Sequence, residues 1–210
     1  MKNVSPQEQD RFSELVTQYW QPVAAVVFAI LLAYGIKEFL SYKTLQYNQN
    51  AGDALYAITH ENNPTESMYD EFIKQYPTSS WTSNAYLMRG VLRSSSTDQD
   101  SIKHATDDFN YVIQYSKDEL LRDQARFNLG VMSLNNKESD QAINSFSQME
   151  SLAYRIHANV YLAMIYHTNN QTDALKETLE FAKKHESKLD PSHVMIYASL
   201  SKAIAKSDTL

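Results

Sequence analysis

Residues 120–149 read LLRDQARFNLGVMSLNNKESDQAINSFSQM, and the way this stretch folds decides the architecture of the rest. Leu121, Ala125 and Leu129 recur every four residues, which places them on one face of a helix running from Leu120 to Leu134. Asn135-Asn136-Lys137-Glu138 is a polar turn, and Ala142, Ile143, Phe146 and Met149 then mark the inner face of a second helix. Two amphipathic helices joined by so short a turn form an antiparallel hairpin with their apolar faces together.

The unit recurs along the chain. Trp81, Ala85, Leu87, Met88 and Val91 define one helix, the polar SSSTDQD of residues 94–100 separates it from the next, and Ile102, Ala105, Phe109, Val112 and Ile113 define that one. A third pair runs from about Ala153 to Tyr166 and from Thr172 to His185, with Asn169-Asn170-Gln171 between. Gly90 and Gly130 are forty residues apart, Gly130 and Ala163 thirty-three, and Phe109 and Phe146 thirty-seven, all near the ~34-residue helix-turn-helix repeat. Leu129-Gly130 followed by Ala142 and Phe146 resembles the tetratricopeptide pattern, in which a small residue lets two helices approach and an aromatic fills the gap. The first pair keeps Gly90, Ala105 and Phe109 with a turn three residues longer; the third has Leu162-Ala163 and Ala174, a turn one residue short and no aromatic four residues on. Asn63-Pro64-Thr65-Glu66 has the cap, proline and acid that open a helix bearing Met68, Phe72, Ile73 and Tyr76 and ending at Pro77. Asp190-Pro191 starts a last helix with Val194, Met195, Tyr197, Leu200 and Ile204, placed to cap the stack. Only four glycines occur and no proline falls between Pro77 and Pro191, so strands have little support and the fold class is all-α.

Upstream lies the apolar run VAAVVFAILLAYGI, Val23 to Ile36. Extended from Pro22 to Leu40 it measures about 28 Å at ~1.5 Å per helical residue, close to the ~30 Å hydrocarbon core of a bilayer. Tyr19 and Trp20 at one end, and Tyr34, Phe39 and Tyr42 toward the other, suit the headgroup level. A cleaved signal peptide would need a positive leader, whereas Lys2 and Arg11 face Glu8, Asp10 and Glu14. A buried core helix would need a wet face, and an interfacial helix a charged one. The expected organisation is a tail over residues 1–21 with an amphipathic turn at Phe12, Leu15, Val16 and Tyr19, a transmembrane helix over 22–40, and a helical domain over 41–210. Leu45, Ala51, Leu55 and Ile58 would continue the same helix out of the membrane. Lys2 and Arg11 balance Lys37 and Lys43, so charge leaves the orientation open.

Composition narrows the function further. The first forty residues carry Lys2, Arg11 and Lys37 against Glu8, Asp10, Glu14 and Glu38, so of 19 basic and 25 acidic residues the remainder holds sixteen and twenty-one. That balance opposes a nucleic-acid surface. Cysteine is absent, which excludes disulfides and a cysteine zinc site. No phosphate loop, G-x-S-x-G elbow or H-E-x-x-H pair exists, so no catalytic residue, cofactor or metal ligand is expected. His157 and His167 lie about three turns apart, too far to share an ion; Asp107 and Asp108 diverge by about 100° and read as a solvated face; Lys183-Lys184 matches a helix C-terminus.

The aromatic pair Tyr19-Trp20, the run Val23 to Gly35, Ala51, Ala54 and Tyr56, Pro77-Thr78-Ser79 before Ala85 to Gly90, and Leu129-Gly130 with Ala142 and Phe146 together resemble the YfgM family, the ancillary subunit of the bacterial Sec translocon. The resemblance spans nearly the whole chain. It implies a single-pass inner-membrane protein with a cytoplasmic N-terminus and a periplasmic tetratricopeptide-like α-solenoid. It also implies a non-catalytic scaffold or holdase that binds Sec translocon subunits, a membrane-anchored periplasmic chaperone of the peptidyl-prolyl isomerase type, and emerging client polypeptides. The longer turn at Ser94 to Asp100 and the missing aromatic of the third pair depart from the family pattern.

If the first helix of each pair lines a concave groove, Leu87 and Val91, Phe127 and Val131, and Val160, Met164 and His167 face it. The competing reading packs the same residues as ordinary core. In function, the alternative to a translocon accessory is a regulatory adaptor that binds one partner in cell-envelope signalling or division.

Overall fold

A computed structural model describes the backbone of residues 6–207. Lys2, the side chains of Phe12, Leu15 and Val16 in the expected amphipathic turn, and that of Ile204 lie outside the described residues. Among the described residues the regular elements are all helical: α1 Pro6–Thr59, α2 Glu66–Gln75, α3 Thr82–Ser94, α4 Gln99–Tyr115, α5 Glu119–Asn135, α6 Ser139–Ser147, α7 Leu152–Thr168, α8 Thr172–Lys184 and α9 Pro191–Ser207, with a 3-10 turn at Glu186–Lys188. The chain divides into two packing units, one ending at Asn50 and the other starting at Ala51.

In the first unit α1 runs through Pro22 instead of starting there. The large apolar side chains between Val23 and Leu40 are 50 to 63% exposed, and α1 is long and apolar enough to cross a membrane.

In the second unit α3 pairs with α4, α5 with α6, and α7 with α8. Each hydrophobic cluster joins a hairpin to the first helix of the next. Leu87 of α3 packs with Ile102, Ala105, Phe109 and Val112 of α4 and with Leu121, Ala125, Leu129 and Met132 of α5. Ala142 and Phe146 of α6 pack with Ala158, Leu162 and Ile165 of α7, with Phe127, Val131 and Leu134 of α5 at the margin. No hairpin could bury its apolar face alone, which is why the units stack. Ahead of them, Ala51 and Leu55 from the end of α1 close on Tyr69 and Phe72 of α2 and on Ala85 of α3. At the other end, Tyr197 and Leu200 of the capping helix α9 pack on Ala163, Leu175 and Leu179, while Met195 is 74% exposed.

The turns repeat as closely as the helices. Lys137 and Asn170 follow α5 and α7 with φ of 65° and 57°. In the first turn Glu138 N donates to Ser133 O (2.9 Å) and Lys137 N to Leu134 O (3.1 Å); in the second Gln171 N donates to Tyr166 O (2.9 Å) and Asn170 N to His167 O (3.2 Å). Both are Schellman closures, which satisfy two orphan carbonyls and reverse the chain within three residues. Helix starts are capped by Asp98, Asp118 and Ser151, whose side chains accept from Ser101 N, from Leu120 N and Leu121 N, and from Tyr154 N. The start expected at Asn63-Pro64 falls later: Thr65 is the N-cap of α2 and makes no side-chain cap bond, its hydroxyl lying 3.1 Å from that of Ser67.

One expectation from sequence is corrected. Asp107 is exposed, but Asp108 is 2% exposed, receiving Arg89 Nη2 at 2.6 Å and Arg93 Nη1 at 2.9 Å. The 100° between neighbours on a helix puts Asp108 on the α3-facing side with Ala105 and Phe109. There two arginines four residues apart on α3 neutralise it.

Candidate functional site

The residues expected to face a groove divide according to their distance from the small residue of each hairpin. Leu87, Phe127 and Val160 lie three positions before Gly90, Gly130 and Ala163, on the same helix stripe and therefore turned inward. Leu87 is 0% and Val160 1% exposed; these two are core, correcting the register in which they line a surface. Phe127 is half-buried, its ring meeting Phe146 at 5.8 Å and Tyr161 at 5.4 Å, both edge-on, and Tyr154 at 5.9 Å. Val91, Val131 and Met164 each follow the small residue by one position, about 100° further round. Val91 is 40% exposed, Val131 and Met164 are half-buried, and His167 in the last turn of α7 is exposed. Phe127 and Val131 border the same cluster. A second set of exposed apolar residues marks the start of each first helix: Trp81 at the N-cap of α3, Leu120 in α5 and Leu152 in α7.

Two charged networks brace these helices. Arg89 and Arg93 on α3 reach back to Asp70 and Glu66 on α2 as well as to Asp108 on α4. On α5, Arg122 and Arg126 hold Glu150, which precedes α7. Hydrogen bonds from Arg122 and then Arg126 lower the Glu150 carboxyl to about 2. Asp123, fully buried, accepts from Arg126 Nη1 at 3.0 Å, Glu150 N at 2.9 Å and Ser151 N. The buried anion thus takes the two amides that lead into α7, at the N-cap and the residue before it, and favours the helix dipole.

No two histidines share ligand spacing within one helix, yet a grouping forms between helices. His157 on α7 meets Asp190 and His193 at the start of α9, with the two Nδ1 atoms 3.0 Å apart. Asp190 Oδ1 accepts from Ser192 N at 2.9 Å and His193 N at 3.0 Å, while Oδ2 contacts His193 Nδ1 and lies 3.7 Å from His157 Nδ1. The bond from the Ser192 hydroxyl to Oδ1 (2.5 Å), then that from the His193 amide, holds the Asp190 carboxyl well below the usual range; burial, then the nearby His193, pushes His157 down. The Asp-x-x-His spacing of Asp190 and His193 is the one trace of this grouping in the sequence.

No curated protein matches the chain, and no solved structure does. The tetratricopeptide repeat-like domain family matches over residues 16–182, a span that takes in the apolar helix and all three hairpins. Since that match covers more than half of the sequence and coincides with the glycine-on-phenylalanine packing of the hairpins, the chain belongs to the tetratricopeptide repeat-like domain family.

Proposed function

We propose that the protein is a membrane-tethered, non-catalytic scaffold at the bacterial Sec translocon. Its N-terminus lies in the cytoplasm and its helical domain in the periplasm, where it binds a membrane-anchored chaperone of the peptidyl-prolyl isomerase type and emerging client segments. The binding surface is the row Val91, Val131, Met164 and His167, backed by Phe127. One observation carries the reading: repeat hairpins whose first helices keep apolar side chains at the solvent boundary, in a chain whose α1 has an uncovered apolar surface long enough for a bilayer. The repeat-like fold belongs to a class that binds rather than catalyses, and the sequence has no cysteine nucleophile or active-site motif. Apolar side chains with an adaptable methionine among them suit loose capture of varied segments.

Gentle detergent extraction, followed by identification of what travels with the protein, tests this. Translocon subunits and the periplasmic chaperone are expected with the wild type and depleted from a Val91→Asp, Met164→Asp double variant. Their absence from the wild type overturns the reading. Recovery of a single envelope signalling or division protein in their place would make it an adaptor.

A further inference from the structure

We propose that His157, Asp190 and His193 bind one divalent transition-metal ion of the zinc type, and that the ion fastens the last helix, α9, to α7. The inference is independent of the translocon reading. One ligand atom from each residue lies within 4.8 Å of the other two. Ligands ~2.0–2.1 Å from a tetrahedral ion sit about 3.3 Å from one another; the two Nδ1 atoms are 3.0 Å apart and His157 Nδ1 lies 3.7 Å from Asp190 Oδ2, while His193 Nδ1 is in direct contact with Oδ2, a pair that must part for both atoms to hold the ion.

The donors are also aimed. The N-cap bonds of Asp190 to Ser192 and His193 occupy Oδ1 and turn Oδ2 toward the imidazoles. His193 is 9% exposed and its ring stands edge-on to Tyr161, with centroids 5.5 Å apart, so it has little freedom to swing away. The two imidazole Nδ1 atoms lie 3.0 Å apart, so either a proton carried by one ring or a positive ion stands between them. A metal ion accepts a lone pair from each ring at once, and the carboxylate offsets its charge. Two imidazoles and one carboxylate select zinc, nickel, cobalt or copper over magnesium or calcium, which prefer all-oxygen shells. The His157 and Asp190 side chains are 33% and 44% exposed, which leaves water room to complete the shell.

The consequence is structural. Apart from this cluster, Tyr197 and Leu200 are the α9 residues that pack at the edge of the α7–α8 core among the described side chains. An ion shared between residue 157 and residues 190 and 193 crosslinks positions more than thirty apart in sequence, and a bond of that kind in the folded state raises stability with the logarithm of ion concentration above its Kd.

The test uses the full chain in detergent, without a histidine tag and stripped by chelator. Zn2+ is titrated calorimetrically, Co2+ is followed by its visible spectrum, and hydrogen exchange is read across α9. The expected result is one Zn2+ per chain, a tetrahedral Co2+ spectrum, and exchange in α9 that slows as Zn2+ is added. His157→Gln and His193→Gln should each weaken binding by about tenfold or more, whereas His104→Gln, on the exposed side of α4, should not change it. Because His157 is only part-buried, His157→Gln with unchanged circular dichroism separates a lost ligand from a lost fold. Absence of saturable binding, or equal affinity in the His157 and His104 variants, overturns the proposal; a proton shared between the rings would give that result.

Discussion

Phe146 lies so close over Gly130 that a Cβ on the glycine would sit 2.7 Å from the ring's Cε1, and Phe109 stands over Gly90 in the same way at 2.9 Å. Alanine at either glycine gains ~1 kcal/mol in helix propensity. Phe146 is 2% exposed inside a filled cluster and has nowhere to retreat, so overpacking at ~1–3 kcal/mol outweighs the gain. Gly130→Ala is expected to lower the urea midpoint, by a net loss of roughly 1 kcal/mol, and Phe146→Leu in the same chain to recover part of it. A midpoint that rises in Gly130→Ala would show that the hairpin does not close on this pair.

Lys137 holds the left-handed position of the α5 turn at φ 65°, a conformation that costs a non-glycine residue about 1–2 kcal/mol. Lys137→Gly removes that cost and returns some backbone entropy to the unfolded chain, so the expected gain in thermal or urea stability is about 0.5–1 kcal/mol. Asn170→Gly should gain only a few tenths, because asparagine visits this region readily. Equal gains at both positions would contradict this view of the turns.

Asp107 and Asp108 provide a matched pair of neighbours. Asp108→Ala removes the buried anion between Arg89 and Arg93, with side chains 13% and 14% exposed, leaving them only the half-exposed Asp70 and Glu66, and is expected to cost about 1.5–3 kcal/mol. Asp107→Ala, on the exposed side of the same helix, should stay within about 0.5 kcal/mol. Denaturant titration of the two variants measures the difference directly.

These two aspartates also show where the sequence could be read and where it could not. The hairpins were legible because apolar residues at helical spacing, polar turns and the glycine, alanine and phenylalanine positions all report on local structure. Where the third pair lacks its aromatic, Thr178 stands at that position and Ala163, in place of glycine, packs with Leu175 and Leu179 instead. The ion networks and the His157–Asp190–His193 cluster were not legible, because their members come from different helices and carry no periodic signal. The groove register failed for Leu87 and Val160 for a different reason. Both share a stripe with the small residue three positions on, and that stripe faces the partner helix.

Glu150 gives a pH dependence with a definite sign. Its folded-state pKa is lowered from 4.5 to about 2 by Arg122 and Arg126, so its stabilising effect is complete above about 4.5 and disappears as pH falls from there through about 2. Wild type should therefore lose stability over that interval faster than Glu150→Gln, whose side chain does not titrate. Parallel curves for the two proteins would show that the arginine pair does not hold this carboxylate.

The side of the membrane reached by Leu210 tests the tether and its proposed partners most directly. With one crossing by α1 and a cytoplasmic N-terminus, a reporter fused after Leu210 should be active if it is of the periplasm-dependent type and silent if it works only in the cytoplasm. The reverse pattern would put the helical domain in the wrong compartment for a periplasmic chaperone and contradict a role at the outer face of the translocon.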